Sequence, residues 1–224
     1  MSDPDLVLEE VGVSFGQNTV FRGVSLTLPK GGIAVVVGDS GVGKTTLLRA
    51  IAGQGPYSGR IMLGGQVSRN HSNNEPHCRA VLVPQQAFLW DHLKALDNVA
   101  LVRRLALGEP TATAKANALK LLVKLEVDDV ANRYPFRLSG GEQQRVSLAR
   151  GLAAEADIYL LDEVTAHLDP RRRERIASLL RDLAAEGKTL IIATHDRRFA
   201  FQMSGQPFEL TGSGLRPTDT KDTH

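Results

Sequence analysis

The chain has 224 residues, 42% of them hydrophobic, with 27 basic and 25 acidic side chains and a net charge of +2. That length supports one compact domain, or one domain carrying an inserted lobe, around a buried core. The balanced charge excludes a global field drawing the chain to nucleic acid or membrane lipid, and the single cysteine, Cys78, excludes an internal disulfide and a Cys-rich zinc site.

Met1-Ser2-Asp3-Pro4-Asp5 is acidic and has no basic flank leading into an apolar core, and no later apolar run approaches the roughly 18 residues of a membrane span. The chain is therefore expected to stay in the cytosol. Ile33 to Val37 is a β-branched run, followed by Gly38-Asp39-Ser40-Gly41-Val42-Gly43-Lys44-Thr45 and then by Thr46 to Ile51, which suits a helix ending near Gly53. This is the order strand, loop, helix. Arg69 to Arg79 is polar and aperiodic and is expected to be a surface loop. Ala80 to Val83, Ile158 to Leu161 and Thr189 to Ala193 have strand length, and polar groups would collect where these strands leave one sheet edge. Leu96 to Leu107 and Ala114 to Leu125 are predicted helices, the second with Ala114, Ala118, Leu121, Leu122 and Leu125 on one face, separated by Gly108 and Pro110. They form a helical lobe inserted into an α/β core. Gly212 to His224 is polar and expected to fray.

The segment Gly38 to Thr45 matches G-x-x-x-x-G-K-[ST] at every fixed position. Its glycines let backbone N–H groups turn inward around phosphate oxygens, and the following helix adds its positive N-terminal end. Lys44 fits this reading, because a lysine in a first helical turn is disfavoured unless an anion lies between it and the helix. Thr45 would place its hydroxyl on Mg²⁺. Asp162 and Glu163 follow the run Ile158-Tyr159-Leu160-Leu161, where successive side chains point to opposite sides. Asp162 would serve the Mg²⁺ shell and Glu163 would polarise the attacking water. In Leu138-Ser139-Gly140-Gly141-Glu142-Gln143, Ser139 is a good helix cap and the glycines permit close backbone approach, so this is a second helix N-terminus able to receive an anion.

That hexapeptide, with the phosphate loop and the Asp162-Glu163 pair, resembles the nucleotide-binding subunits of ATP-binding cassette (ABC) transporters, over most of the chain from Val11 to about Phe199. The resemblance implies a P-loop NTPase, RecA-like α/β core with an N-terminal antiparallel β subdomain and an inserted α-helical subdomain. The core would cover about residues 1–86 and 139–211, the insertion about 87–138, and a flexible tail about 212–224. It also implies ATP and Mg²⁺ as cofactors, with Gly38, Asp39, Ser40, Gly41, Val42, Gly43, Lys44, Thr45 and Thr46 around the phosphates. Leu138 to Gln143 becomes the signature motif, whose Ser139, Gly140, Gly141 and Gln143 would contact the γ-phosphate held by a second subunit. Gln85 is similar to the Q-loop glutamine that touches Mg²⁺ or the attacking water, Ala166-His167-Leu168-Asp169 to the D-loop, and His195 to the switch histidine. Phe15 takes the place of the aromatic that stacks on adenine. Glu163, His195, Gln85 and Lys44 would form the catalytic set, and Thr45, Gln85 and Asp162 the metal set.

Three departures from the family pattern stand out: Phe15 for the usual tyrosine, Val164 where a proline commonly follows the glutamate, and Ala166-His167 for the usual Ser-Ala. The dense run Arg171-Arg172-Arg173-Glu174-Arg175 opens a helix whose apolar stripe is Ile176, Leu179, Leu180 and Leu183, so it is read as a solvated face rather than a nucleic-acid site. The resemblance implies a homodimer that docks on an integral membrane permease at the cytoplasmic face of the inner membrane and powers transport by ATP-driven closure. Phe88 to Leu93, Leu96 to Val99 and Pro170 resemble bacterial importers of polar amino acids, which would add a substrate-binding protein. A lipid or drug exporter partner stays open. The rival is a soluble cassette ATPase acting on DNA, chromosomes or ribosomes, opposed by the single cassette, the lack of a heptad arm and the balanced charge. A simple P-loop kinase is more distant, since it has no need of the signature motif.

Overall fold

The computed structural model describes residues 4–68, 79–166, 168–204 and 206–218. The predicted loop from Arg69 lies outside these except for Arg79, as do Cys78 and His167. In chain order the elements are β1 (Leu6–Phe15), β2 (Asn18–Leu28), β3 (Ile33–Val37), α1 (Lys44–Ile51), β4 (Ser58–Leu63), β5 (Gln66–Val67), β6 (Ala80–Val83), α2 (Ala95–Leu107), α3 (Thr111–Lys124), α4 (Gly140–Leu152), β7 (Ile158–Asp162), α5 (Pro170–Ala185), β8 (Thr189–Thr194), α6 (Arg197–Ser204), β9 (Phe208–Thr211) and β10 (Gly214–Pro217). Short 3₁₀ turns at Asp128–Val130 and Pro135–Arg137 lead into α4.

The predicted strands all join one six-stranded sheet, ordered β10-β9-β3-β8-β7-β6 and parallel except at β10. β7 and β8 are buried at every residue, as expected of strands covered on both faces. The two-residue period divides them cleanly. Val35, Val37, Leu161 and Ile192 face a core shared with α2, α3, α4 and α5, while Ala34, Val36, Leu160 and Ile191 face α1 and the second sheet. That second sheet is antiparallel, ordered β2-β1-β4-β5, with Leu6 opposite both Leu28 and Leu63. It is the implied N-terminal β subdomain.

The helical insertion joins β6 to α4. Asn98, buried in α2, accepts from Trp90 N at 2.8 Å and donates to the carbonyls of Trp90, Leu93 and Lys94, so one side chain ties down the segment before the helix. Buried Arg103 grips Glu109 through two bonds of 2.8 and 2.6 Å and Glu155 at 2.8 Å, linking the insertion to the loop ahead of β7.

The predicted tail needs correction. Gly214–Pro217 pairs with β9 as an edge strand, Arg22 N donates to Gly212 O at 3.1 Å, and Thr218 is buried with its N–H and hydroxyl both on Pro207 O. Pairing on one side and packing against β2 on the other hold residues that polarity alone would leave loose. Asp219–His224 lie outside the described residues. No described helix is long and apolar enough to cross a membrane.

Candidate active site

Parallel pairing places the C-terminal ends of β3, β6, β7 and β8 along one edge, where ligands of open α/β sheets bind. β3 runs into the phosphate loop. Gly43, the residue before α1, has φ 111, and a Cβ there would stand 2.6 Å from Val20 Cγ1 of β2, so only glycine fits. Lys44 is buried at the first turn of α1 and its ammonium donates to Gly38 O at 2.7 Å and Asp39 O at 3.1 Å. The loop carbonyls thus hold the charge over the loop interior.

Thr45 Oγ1 donates to Asp162 Oδ2 at 2.7 Å. Asp162 ends β7 and is buried, and that burial pushes its pKa up, with the Thr45 hydroxyl opposing the shift. Glu163 comes next with φ 51, a left-handed conformation that a residue with a Cβ adopts at a cost. Its N–H donates to Ala193 O at 2.9 Å, and its Oε2 lies 2.9 Å from His195 Nδ1 and accepts from Thr194 Oγ1 at 3.3 Å. The two acids have different partners yet line one cavity, because Glu163 lies just beyond β7 and its left-handed backbone departs from the strand alternation expected from sequence.

These groups line a cavity of about 340 Å³ with Ser40, Gly41, Gly43, Lys44, Thr45, Thr46, Gln85, Asp162, Glu163 and His195 on its walls, joined by Ala166. A larger cavity of about 570 Å³ between β6, α2 and α4 contains none of the predicted residues and is lined mainly by apolar side chains. Chemistry, not volume, identifies the site. Phe15 is exposed on the β1–β2 hairpin, outside the cavity walls but on the hairpin whose Val20 abuts Gly43.

Oxygen donors meet where a hard cation would need them, at the Thr45 hydroxyl and the Asp162 carboxylate. Among the described residues no group of three or more His, Cys, Asp or Glu side chains could hold a metal, and a cation at Thr45 and Asp162 would need further oxygen ligands. That is the usual situation of Mg²⁺ in phosphoryl-transfer sites.

Leu138 to Gln143 is not part of this cavity. Ser139 caps α4 in a reciprocal box: Ser139 N donates to Glu142 Oε2 at 2.7 Å and Glu142 N to Ser139 Oγ at 3.3 Å. The Ser139 N–H, and after it the Ser139 hydroxyl donating to the same Oε2 at 2.9 Å, hold the Glu142 carboxyl below its ordinary pKa. Gly140 has open space where a Cβ would be. Gln143, expected to touch nucleotide, gives both amide hydrogens to Pro135 O and Leu138 O at 3.0 and 3.2 Å and so braces the loop before the motif. The arginine run is engaged in ion pairs, Arg172 with Asp169, Arg173 with Asp196 and Arg175 with Glu126.

Two residues near the site carry little signal in sequence. Thr194 is a buried strand-end threonine that only its contact with Glu163 marks, although its place beside His195 could have drawn notice. Arg150 of α4 donates to Ala87 O and Phe88 O just beyond Gln85 and lies over the Trp90 ring, contacts that depend wholly on tertiary packing.

Comparison with known proteins bears on the family and the fold. The sequence pattern of the family described as ABC transporter matches residues 21–166. The histidine/lysine/arginine/ornithine transport ATP-binding protein HisP of Salmonella typhimurium is 36% identical over 219 residues, 91% of this chain and 85% of that protein. The glutamine transport ATP-binding protein GlnQ of Escherichia coli is 36% identical over 201 residues, 88% of this chain and 84% of that protein. Among solved structures, a dimeric ATP-binding cassette in a post-hydrolysis state bound to ADP and Pi superposes with a TM-score of 0.86 at 29% identity, covering 96% of this chain and 98% of that one.

Proposed function

The chain belongs to the ABC transporter family, and from that premise we propose that two copies close around two ATP molecules and that hydrolysis reopens them, driving a separate membrane-spanning partner. The observation that carries the reading is the Glu163 carboxylate, held by Thr194 and His195 at the rim of the cavity that Lys44 and Thr45 line.

Backbone N–H groups from Gly41 to Thr46 and the Lys44 ammonium bind the phosphates. Thr45 and Asp162, with Gln85, would hold Mg²⁺, which would supply positive charge to the phosphate oxygens. Phe15 stacks on the adenine ring. Glu163 accepts a proton from water as the water oxygen bonds to the γ-phosphorus and the bond to the ADP oxygen breaks, leaving ADP and phosphate. His195, exposed beside Glu163, steadies the γ-phosphate. The second copy brings Ser139, Gly140 and Gly141 to the same phosphate through the open N-terminus of its α4.

HisP and GlnQ are named for transport of histidine, lysine, arginine, ornithine and glutamine. We accordingly assign a polar amino acid as the cargo, a permease as the membrane partner, a substrate-binding protein as the supplier, and the cytoplasmic membrane face as the place of work. The reading as a soluble ATPase of DNA, chromosomes or ribosomes falls away, since the relatives in hand are transport proteins. Glu163→Gln tests the assignment: it is expected to bind ATP, lose about 100-fold or more of the turnover rate and collect as an ATP-bound dimer on size-exclusion chromatography. A variant that hydrolyses ATP at the parent rate removes Glu163 from the role of base.

A further inference from the structure

Glu163 has two side-chain partners of different character. His195 is mostly exposed, 65% at the side chain, and free to change rotamer, whereas Thr194 is buried at the end of β8. The Thr194 hydroxyl donates to Glu163 Oε2 at 3.3 Å and accepts from Asp196 N at 3.1 Å, so its proton direction is set. Asp196 is fixed in turn. Its Oδ1 accepts from Phe199 N at 3.0 Å at the start of α6, and its Oδ2 pairs with Arg173 Nη1 at 2.8 Å. Arg173, from the first turns of α5, also sends Nη2 to Leu168 O at 3.4 Å. One continuous run of polar contacts therefore joins Leu168, Arg173, Asp196, Thr194 and the Glu163 carboxylate.

Such a run answers a need visible in the backbone. The left-handed conformation of Glu163 persists only where its surroundings over-determine it, and a general base serves only within hydrogen-bond reach of its proton. Ala193 O fixes the Glu163 amide, but a main-chain bond leaves the side-chain torsions free. The one rigid group that touches the carboxylate is the Thr194 hydroxyl.

We propose that Thr194 is the positioning residue that aims the Glu163 carboxylate at the attacking water, and that Arg173, through Asp196, locks this setting to the Leu168 segment. The inference rests on the reading of Glu163 as the base. Neither residue lines the phosphate cavity, so each acts on the rate of the chemical step and leaves ATP binding nearly unchanged.

The test is steady-state ATP hydrolysis by the full chain with Mg²⁺, across a range of ATP concentrations. Thr194→Val, nearly the same shape without the hydroxyl, is expected to lower kcat about 10-fold to 100-fold with KM changed less than about twofold, because a misaimed group loses rate without losing ground-state binding. Thr194→Ser should recover most of the loss. Adding Thr194→Val to Glu163→Gln should lower the rate no further, and Arg173→Met and Asp196→Asn should be non-additive. Thr194→Ala serves if the valine variant does not fold. A folded Thr194→Val or Thr194→Ala at about the parent kcat, beside a dead Glu163→Gln, overturns the inference and leaves the base assignment standing. A fully active Glu163→Gln overturns both, and additive losses for Arg173→Met and Asp196→Asn overturn the part assigned to Arg173.

Discussion

Gly43→Ala tests whether the phosphate loop is shaped by the hairpin behind it or only by its own sequence. The added Cβ meets two obstacles. At φ 111 an L-residue is strained, which costs on the order of 1–3 kcal/mol. The methyl also falls 2.6 Å from Val20 Cγ1 and 3.1 Å from Phe21 Cδ1, and since valine is stiff at χ1 and Phe21 is fully buried, neither yields cheaply. Overpacking of that kind adds about 1–3 kcal/mol. The expected loss is about 2–6 kcal/mol, a large part of the roughly 5–15 kcal/mol that holds a domain folded. Gly41→Ala is the internal control: its φ is 84 but no heavy atom lies within 4 Å, so only the backbone cost applies. Urea denaturation of both variants, with titration of a fluorescent ATP analogue, separates the contributions. Equal destabilisation by the two substitutions, or a Gly43→Ala protein within about 0.5 kcal/mol of the parent, refutes the hairpin's part in shaping the loop.

Lys44→Ala removes a charged donor whose phosphate bonds are worth about 1.5–3 kcal/mol, so ATP affinity should fall about 10-fold to 150-fold in the same titration while adenosine binding stays level. Arg103→Met removes the buried guanidinium shared by Glu109 and the exposed Glu155 and should lower the urea midpoint, with little change in ATP affinity because none of the three lines the phosphate cavity. Glu142 supplies a pH-dependent prediction. Its folded pKa lies below the ordinary 4.5, so its contribution is complete above pH 4.5 and is lost as the pH falls through the lower, folded value. Glu142→Gln keeps an acceptor for Ser139 N without that charge, so parent and variant should differ by about 1 kcal/mol or less at neutral pH and converge in acid. A gap that widens below pH 4.5 would reverse the assignment.

The parts of this fold that were legible in sequence are those in which burial is complete. β3, β7 and β8 are covered on both faces, so their sequences are unbroken apolar runs that end where the chemistry begins. β1 is different. Glu10 at φ 50 opens a bulge between Leu8 and Val11, which breaks the alternation and puts Glu9 and Glu10 in the middle of a strand, so this sheet was accessible only through family resemblance. β10 was misread as tail because a four-residue edge strand ending in Pro217 has turn-like composition, and its support comes from β9 and β2. Within the site, Lys44, Thr45, Asp162 and Glu163 were legible because motif spacing and strand ends place them. Thr194 and Arg173 were not, because their roles depend on the β7–β8 register that sets Asp162 opposite Ala193 and so brings Thr194 beside Glu163.

The separation of Leu138 to Gln143 from the phosphate cavity gives the proposed dimer its energetic logic. A ligand shifts a conformational equilibrium only by its differential affinity, and moving one from mostly open to mostly closed takes about 5.5 kcal/mol. ATP bound to one chain alone provides none of this, since Lys44 and the loop hold it equally in both states. What closure would add at each phosphate is a second helix N-terminus, with the Gly141 N–H as one donor and the Ser139 hydroxyl as another once it turns from Glu142 Oε2, to which it donates at 2.9 Å. Charge-assisted bonds of about 1.5–3 kcal/mol each, two at each of two sites, give about 6–12 kcal/mol. That gross gain is close to the 4–15 kcal/mol that association costs through lost freedom, so the closed state is reached with the γ-phosphate in place and given up once it is cleaved. A tighter signature loop would close and stay closed. The exposed, self-capped α4 N-terminus, with Glu142 already occupying both the Ser139 N–H and the Ser139 hydroxyl proton, leaves few enough donors free for the cycle to reverse.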